Sequence, residues 1–198
     1  MKEIRFHGRG GQGVVMAATI LVKAFIQEGK YAAGFPFFGA ERRGAPVTAF
    51  VRCDQKRIRE KTQVYRPDCL VVLEPRQLLE AQTFQGLKPQ GILVANSARK
   101  DEFPPQENLK LAGLVDAFQI AMEELGFPAP NTCMLGAFAA ATGWVGLDSI
   151  LAALDENFTG VQLTKNIKSV KRGFESIYTY RYRAGTSAAG KAADRDSG

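Results

Sequence analysis

The stretch FHGRGGQGVVMAA (residues 6–18) decides how this chain folds. Residues 2–6 before it alternate and are β-prone, so they read as a strand. Residues 14–28 after it read as a helix, with Val15, Ala18, Ile20, Leu21, Ala24 and Phe25 at near-helical spacing and Gly29 where a helix stops. Between them, Gly8, Arg9, Gly10, Gly11, Gln12 and Gly13 satisfy G-x-G-x-x-G. Glycines there permit positive φ and let backbone N–H groups come close to whatever sits at the positive end of the helix. A dinucleotide fold would add a carboxylate at the end of the second strand to hold a ribose. The expected second strand, 30–34, instead runs into Phe35, Pro36, Phe37 and Phe38, with no carboxylate until Glu41. Nicotinamide or flavin binding is therefore poorly supported. A tight packing turn, an anion site and a contact within a larger assembly all stay open.

Working outward, FPFFGAERRGAPV (residues 35–47) places Glu41 and two adjacent guanidiniums, Arg42 and Arg43, between glycines. Arginine grips phosphate or carboxylate in a bidentate fork. Phe and Arg are equally at home in interface cores, so this loop suits a subunit contact or a ligand's anionic group. Residues 47–52 and 57–64 read as an antiparallel pair joined by a turn at 54–56. CLVVL (69–73) and GILVA (91–95) are apolar throughout, as strands buried on both faces are, and 110–115 reads as a further strand. Helices are expected over 77–84, 116–125, 132–142, 147–157 and 163–182. Asn131, Thr132 and Asp148 read as N-caps, and Leu163, Ile167, Val170, Phe174 and Ile177 share one face of the last helix. Strands alternating with helices imply right-handed crossovers. The expected fold is α/β, a Rossmann-like mostly parallel sheet with helices on both faces and a helical C-terminal part. One domain is expected over 1–183, with a disordered tail over 184–198, where the sequence AGTSAAGKAADRDSG is small and polar.

The composition is that of an ordinary globular protein: 198 residues, 45% hydrophobic and 23% charged, enough for one good core. No apolar run approaches the roughly 20 residues that span a bilayer, and no signal-like segment precedes the first strand. A cytoplasmic protein without a membrane partner is expected. Cys53, Cys69 and Cys133 are far apart and form no C-x-x-C pair, and His7 is the single histidine, so no metal or iron–sulfur site is expected in this chain. The thiols read as buried core residues. His7 has no nucleophile placed beside it and reads as a strand-end residue bonded to backbone; no catalytic residue is assigned. The net charge of +6 comes from scattered residues, apart from loose groups at 165–172 and 180–183, with no nucleic-acid motif. An acidic partner protein or a polyphosphate ligand fits that charge.

RGGQG (9–13), FPFFGAERRGAPVTAFVR (35–52), RPDCLVVLE (66–74) and NTCMLGAFAAATG (131–143) together resemble the gamma subunits of the 2-oxoacid:acceptor oxidoreductases. The resemblance is to the pyruvate:ferredoxin (pyruvate synthase) branch more than to the indolepyruvate branch. It implies a complex that turns a 2-oxoacid and coenzyme A into an acyl-CoA and carbon dioxide while reducing ferredoxin. It also implies thiamine diphosphate with Mg2+ between alpha and beta subunits, and 4Fe–4S clusters in the beta and ferredoxin-like delta subunits. This chain would bind none of these cofactors alone. Gly8, Arg9, Gly10, Gly11, Gln12, Gly13, Arg42 and Arg43 would lie toward the coenzyme A phosphates or a subunit interface. The alternative is a stand-alone Rossmann-type nucleotide-binding protein.

Overall fold

The structure is a computed structural model in which residues 1–38, 45–99 and 107–182 are described. Glu41, Arg42, Arg43 and the segment 184–198 lie outside the described residues. In chain order the elements are β1 (Lys2–Arg9), α1 (Val14–Gln27), β2 (Tyr31–Phe38), β3 (Pro46–Asp54) and β4 (Cys69–Val72). A 3-10 turn (Pro75–Leu79) leads into the single-turn α2 (Ala81–Phe84), then β5 (Gly91–Asn96), β6 (Leu109–Val115) and α3 (Ala117–Leu125). The chain continues through α4 (Asn131–Thr142), α5 (Leu147–Leu154), α6 (Gly160–Glu175) and β7 (Tyr178–Arg181).

The strands form one sheet in the order β2-β3-β1-β4-β5-β6-β7. Its centre, β1-β4-β5-β6, is parallel, while β3 on β1, β2 on β3 and β7 on β6 are antiparallel. The α/β fold with a parallel centre is thus as expected. Helices cover both faces unequally. On one face α1, α3, α4, α5 and α6 pack over Ile4, Phe6, Val51, Val71 and Val94. The other face carries Leu70, Val72, Leu93 and Ala112 beneath Leu78, Phe84 and Leu87, from the 3-10 turn, α2 and the loop after it. Among the described residues no helix is long and apolar enough to cross a membrane.

Five expectations need correction. Residues 57–64 form no strand; β3 pairs instead with β1 and with β2, which runs on to Phe38. Between the turn and Val64 that segment offers Ile58 as its one apolar residue, so a strand there would lay charges on the sheet. The helix expected over 77–84 is a 3-10 turn and one α-turn, held between Pro75 and Gly86 at φ 77. The last helix stops at Glu175 rather than 182, because Tyr178 and Tyr180 are β-formers that pair with Leu114 and Ala112 at the sheet edge. Asp148 sits inside α5, whose N-cap is Gly146, and Asn131 begins α4 after Pro130; neither side chain caps its helix. Asp116 does, accepting a bond from the Gln119 N–H at 3.0 Å. On α1, Val15 is only half-buried, and Val14 and Ala17 take its place in the core.

Candidate functional site

From β1 the chain crosses by α1 toward β2 on one side, while β4 crosses toward β5 on the other. The C-terminal ends of β1 and β4 are therefore the point where the winding reverses, the usual place for a crevice in such sheets. The glycine turn lies there. Gly8 must be glycine because a Cβ would stand 2.5 Å from Val14 Cγ2, and Gly13 caps α1 at φ 75 with its missing Cβ only 2.4 Å from Asn131 Nδ2. The N-termini of α1 and α4 thus meet beside the turn.

Much of the turn is satisfied from within. Gln12 bridges it: its Oε1 accepts from the Arg9 N–H at 2.8 Å, and its Nε2 donates to Glu74 Oε2 at 2.8 Å. The Gln12 N–H donates to Arg9 O and the Gly10 N–H to Ala45 O, both at 3.1 Å. The Arg9 Nε stands 3.9 Å from Glu74 Oε2, a charge contact and not a hydrogen bond. Below the turn, Gln77 donates to Gly8 O at 3.4 Å, and its Oε1 meets no donor among the described residues. Glu74, 13% exposed, thus sets a carboxylate against the inner side of the turn, where it opposes a phosphate. The outer side differs: Gly11 is exposed at φ 96, and no described residue stands within 4 Å of its Cβ position.

The place next to β1 that a dinucleotide fold gives to a ribose-holding strand belongs here to antiparallel β3, which enters as Ala45-Pro46-Val47 without a carboxylate. The sequence-predicted residues Gly8 to Gly13 are brought together as one turn, whereas Arg42 and Arg43 lie outside the described residues. Glu74, Gln77 and Asn131 were missed. A signal for Glu74 existed, since an acid directly after an all-apolar parallel strand falls on the ligand edge of the sheet.

His7 is partly buried and its ring is bonded to a side chain rather than to backbone: Nε2 accepts from Arg5 Nε at 2.9 Å. Arg5 in turn donates to Thr83 O at 2.9 Å and Gln85 O at 2.8 Å, pinning the loop after α2. Burial, reinforced by the neighbouring Arg5, pushes the His7 pKa down from 6.5 to about 3. The unfolded chain therefore takes up the proton first. The stabilisation is complete above pH 6.5 and declines toward pH 3, by up to about 1.4 kcal/mol per pH unit. A His7→Gln variant keeps an acceptor for Arg5 and should lose less stability than the parent between pH 7 and pH 5, read as urea midpoints. Identical losses in the two proteins would disprove this role for His7.

Cys53, Cys69 and Cys133 are free and buried, and burial pushes their thiols up: Cys53 to about 11, Cys133 to about 12 and Cys69 well above its ordinary value. None is a nucleophile near neutral pH. Among the described residues no three His, Cys, Asp or Glu side chains gather to hold a metal.

The family of proteins described as pyruvate ferredoxin/flavodoxin oxidoreductase matches residues 3–176. The chain belongs to this family. It is similar to the pyruvate/ketoisovalerate oxidoreductases common subunit gamma of Thermococcus kodakarensis, 51% identical over 183 residues that cover 91% of this chain and 99% of the other. It is 44% identical over 179 residues to the gamma subunit of the NADH-dependent phenylglyoxylate dehydrogenase of Aromatoleum evansii, covering 89% of this chain and 94% of that one. The crystal structure of pyruvate oxidoreductase subunit PORC from Thermotoga maritima shares the fold with a TM-score of 0.78 at 35% identity, over 90% of this chain and 97% of that one. These three relatives match this chain over nearly their whole length.

Proposed function

We propose that this chain is the gamma subunit of a cytoplasmic 2-oxoacid:ferredoxin oxidoreductase, with pyruvate the foremost 2-oxoacid. The complex converts 2-oxoacid and coenzyme A to acyl-CoA and carbon dioxide, passing two electrons to ferredoxin. Thiamine diphosphate with Mg2+ and 4Fe–4S clusters, held by alpha, beta and delta chains, supply the decarboxylation and electron transfer. This chain supplies architecture. Its glycine turn, through Arg9 and the outer rim at Gly10 and Gly11, lies with Arg42 and Arg43 against the coenzyme A phosphates or an equivalent carboxylate of another subunit.

The observation that carries this reading is an apolar edge strand, β2, left open one strand beyond the neighbour of β1. Phe37 is 48% exposed on the edge strand β2, next to exposed Pro36 and half-buried Phe35. A shallow groove lined by Val15, Thr19, Val22 and Gly34 runs between α1 and β2. Gly34 and Pro36 face α1 while Phe35 and Phe37 face the opposite side, so this edge strand is apolar and open on both faces. Exposed apolar surface marks a protein contact, and Pro36, having no N–H, favours docking by side chains over strand addition. A stand-alone nucleotide-binding protein has no use for such a face, and Glu74 disfavours a phosphate inside the turn.

The test is an affinity purification of this chain from its native cells under anaerobic conditions, with mass spectrometry and an assay of 2-oxoacid- and coenzyme A-dependent viologen reduction. Co-purification with thiamine-binding and iron–sulfur chains, with activity, is expected. Recovery alone with a bound nucleotide would overturn the reading. A Phe37→Asp variant should bind its partners at least about tenfold more weakly, since burying a phenyl ring is worth about 1.5–3 kcal/mol. Its melting temperature should match the parent's, because Phe37 lies outside the core; unchanged assembly would refute the role of this face.

A further inference from the structure

A third basic group lies outside the two noted in the C-terminal part of the sequence. It is in 55–66, QKRIREKTQVYR, which carries five cations, Lys56, Arg57, Arg59, Lys61 and Arg66, against one acid, Glu60. That is a net of four positive charges out of the chain's six. All five cations are exposed, and none is ion-paired with a described residue. Tyr65 beside them is 69% exposed.

A polar, self-repelling stretch of this kind is expected to be loose, yet it is anchored along its C-terminal leg. Arg52, itself 3% exposed, donates from Nη1 to Thr62 O at 2.6 Å and from Nη2 to Gln63 O at 3.2 Å. Val64 is buried in the core. The Tyr65 carbonyl packs so closely on Gly86 that a Cβ there would stand 2.0 Å from it. A buried guanidinium is thus used to hold an irregular segment, and the segment it holds is the basic one. Because β3 runs antiparallel to β1, the segment leaves the sheet at Asp54, beside Lys2 and Cys53 pairing, and returns at Cys69 beside Ile4. This is the edge opposite the glycine turn.

We propose that 55–66 is a second docking surface, which receives an acidic face of another subunit of the complex. The inference rests on the subunit reading above and adds a partner of stated charge at a separate place. Anchored cations lose less freedom on binding than loose ones, and several like charges on one surface steer an oppositely charged partner. The open face around Phe37 makes a contact that salt leaves nearly unchanged, whereas this one weakens as salt rises.

The test compares two triple charge reversals in the complex purified through a tag on this chain: Arg57→Glu/Arg59→Glu/Lys61→Glu, and Lys165→Glu/Lys168→Glu/Lys171→Glu on α6. Both change the net charge equally. Retention of the other subunits is followed from about 50 to 500 mM NaCl, a range over which the screening length falls severalfold, with melting temperatures as a folding control. The 57/59/61 variant should lose at least about tenfold in affinity near physiological salt and flatten the salt dependence, while the α6 variant stays close to the parent. Equal losses in the two variants, or none in either, overturn the proposal and leave the subunit reading standing. So does loss of a bound nucleic acid with the subunits retained. A parent chain recovered without subunits at low salt overturns the subunit reading itself, and this inference with it.

Discussion

A Gly136→Ala variant should be less stable by about 3 kcal/mol, although alanine is the better helix former. At Gly136 in α4 an added Cβ would stand 1.9 Å from the Val170 carbonyl oxygen and 2.9 Å from the Phe174 nitrogen, both backbone atoms of α6. The contact is reciprocal: Gly173 of α6 would place its Cβ 2.1 Å from Cys133 O of α4. Backbone cannot rotate aside as a side chain can, so the helices must separate. Beside that crossing, Thr132 Oγ1 donates to Asn166 Oδ1 at 2.9 Å and meets Ser169 Oγ at 3.3 Å, all three residues buried. Separation stretches bonds that water cannot replace, each worth about 1–3 kcal/mol once broken, on top of overpacking of about 1–3 kcal/mol. The helix-propensity gain of about 1 kcal/mol is too small to offset these. For a chain of this size the melting temperature should fall by about 6–12 °C. Gly143→Ala, at φ 61 with nothing within 4 Å of its Cβ, is the control, costing about 1 kcal/mol. A Gly136→Ala protein as stable as that control would refute the close-crossing account.

Neither glycine of that crossing was legible as an interface residue. Within NTCMLGAFAAATG, Gly136 reads as one small residue among several, and only the position of α6 makes it special. What was legible is what periodicity and local chemistry decide. The apolar runs at β4 and β5 read as buried central strands, and the glycine turn as a place where backbone comes close to something between a strand and a helix. Legibility ended where a distant segment chose between local options. Tyr178–Arg181 continues a helical pattern, but the open edge of β6 takes it as a strand. The glycine turn shows the same limit in chemistry. From sequence an anion was one of three readings; in the fold the anion at its inner side is the protein's own Glu74, just after β4, held through Gln12. A pattern of glycines reports that something comes close and leaves open whether that is a ligand or the chain itself.

An Arg52→Ala variant tests the corresponding arrangement at the other edge, and its expected effect is the largest after that of Gly136. Arg52 stands on β3 opposite Glu3 of β1, and its Nε donates to Glu3 Oε1 at 3.0 Å while its other nitrogens hold Thr62 O and Gln63 O. Glu3 also receives Lys88 Nζ at 3.1 Å, and Lys88 reaches Asp68 at 2.9 Å, so four charged side chains share one network at the base of the sheet. Removing one partner of a buried pair leaves the other uncompensated and typically costs about 3–5 kcal/mol. Lys88 remains to neutralise Glu3, so the lower end, about 3 kcal/mol, is expected. Arg52→Lys should recover little of the loss, because one ammonium cannot span a carboxylate and two carbonyls as a planar fork does. Two readouts separate a global effect from a local one. Urea unfolding measures the first. Trypsin under native conditions measures the second, since cleavage after Arg57, Arg59 and Lys61 should accelerate more than cleavage after Lys165 or Lys168 on α6. Uniform acceleration would mean that Arg52 merely stabilises the whole fold. Selective acceleration would mean that this guanidinium holds the basic segment in place, so that the sheet spends stability to present charge on a fixed surface.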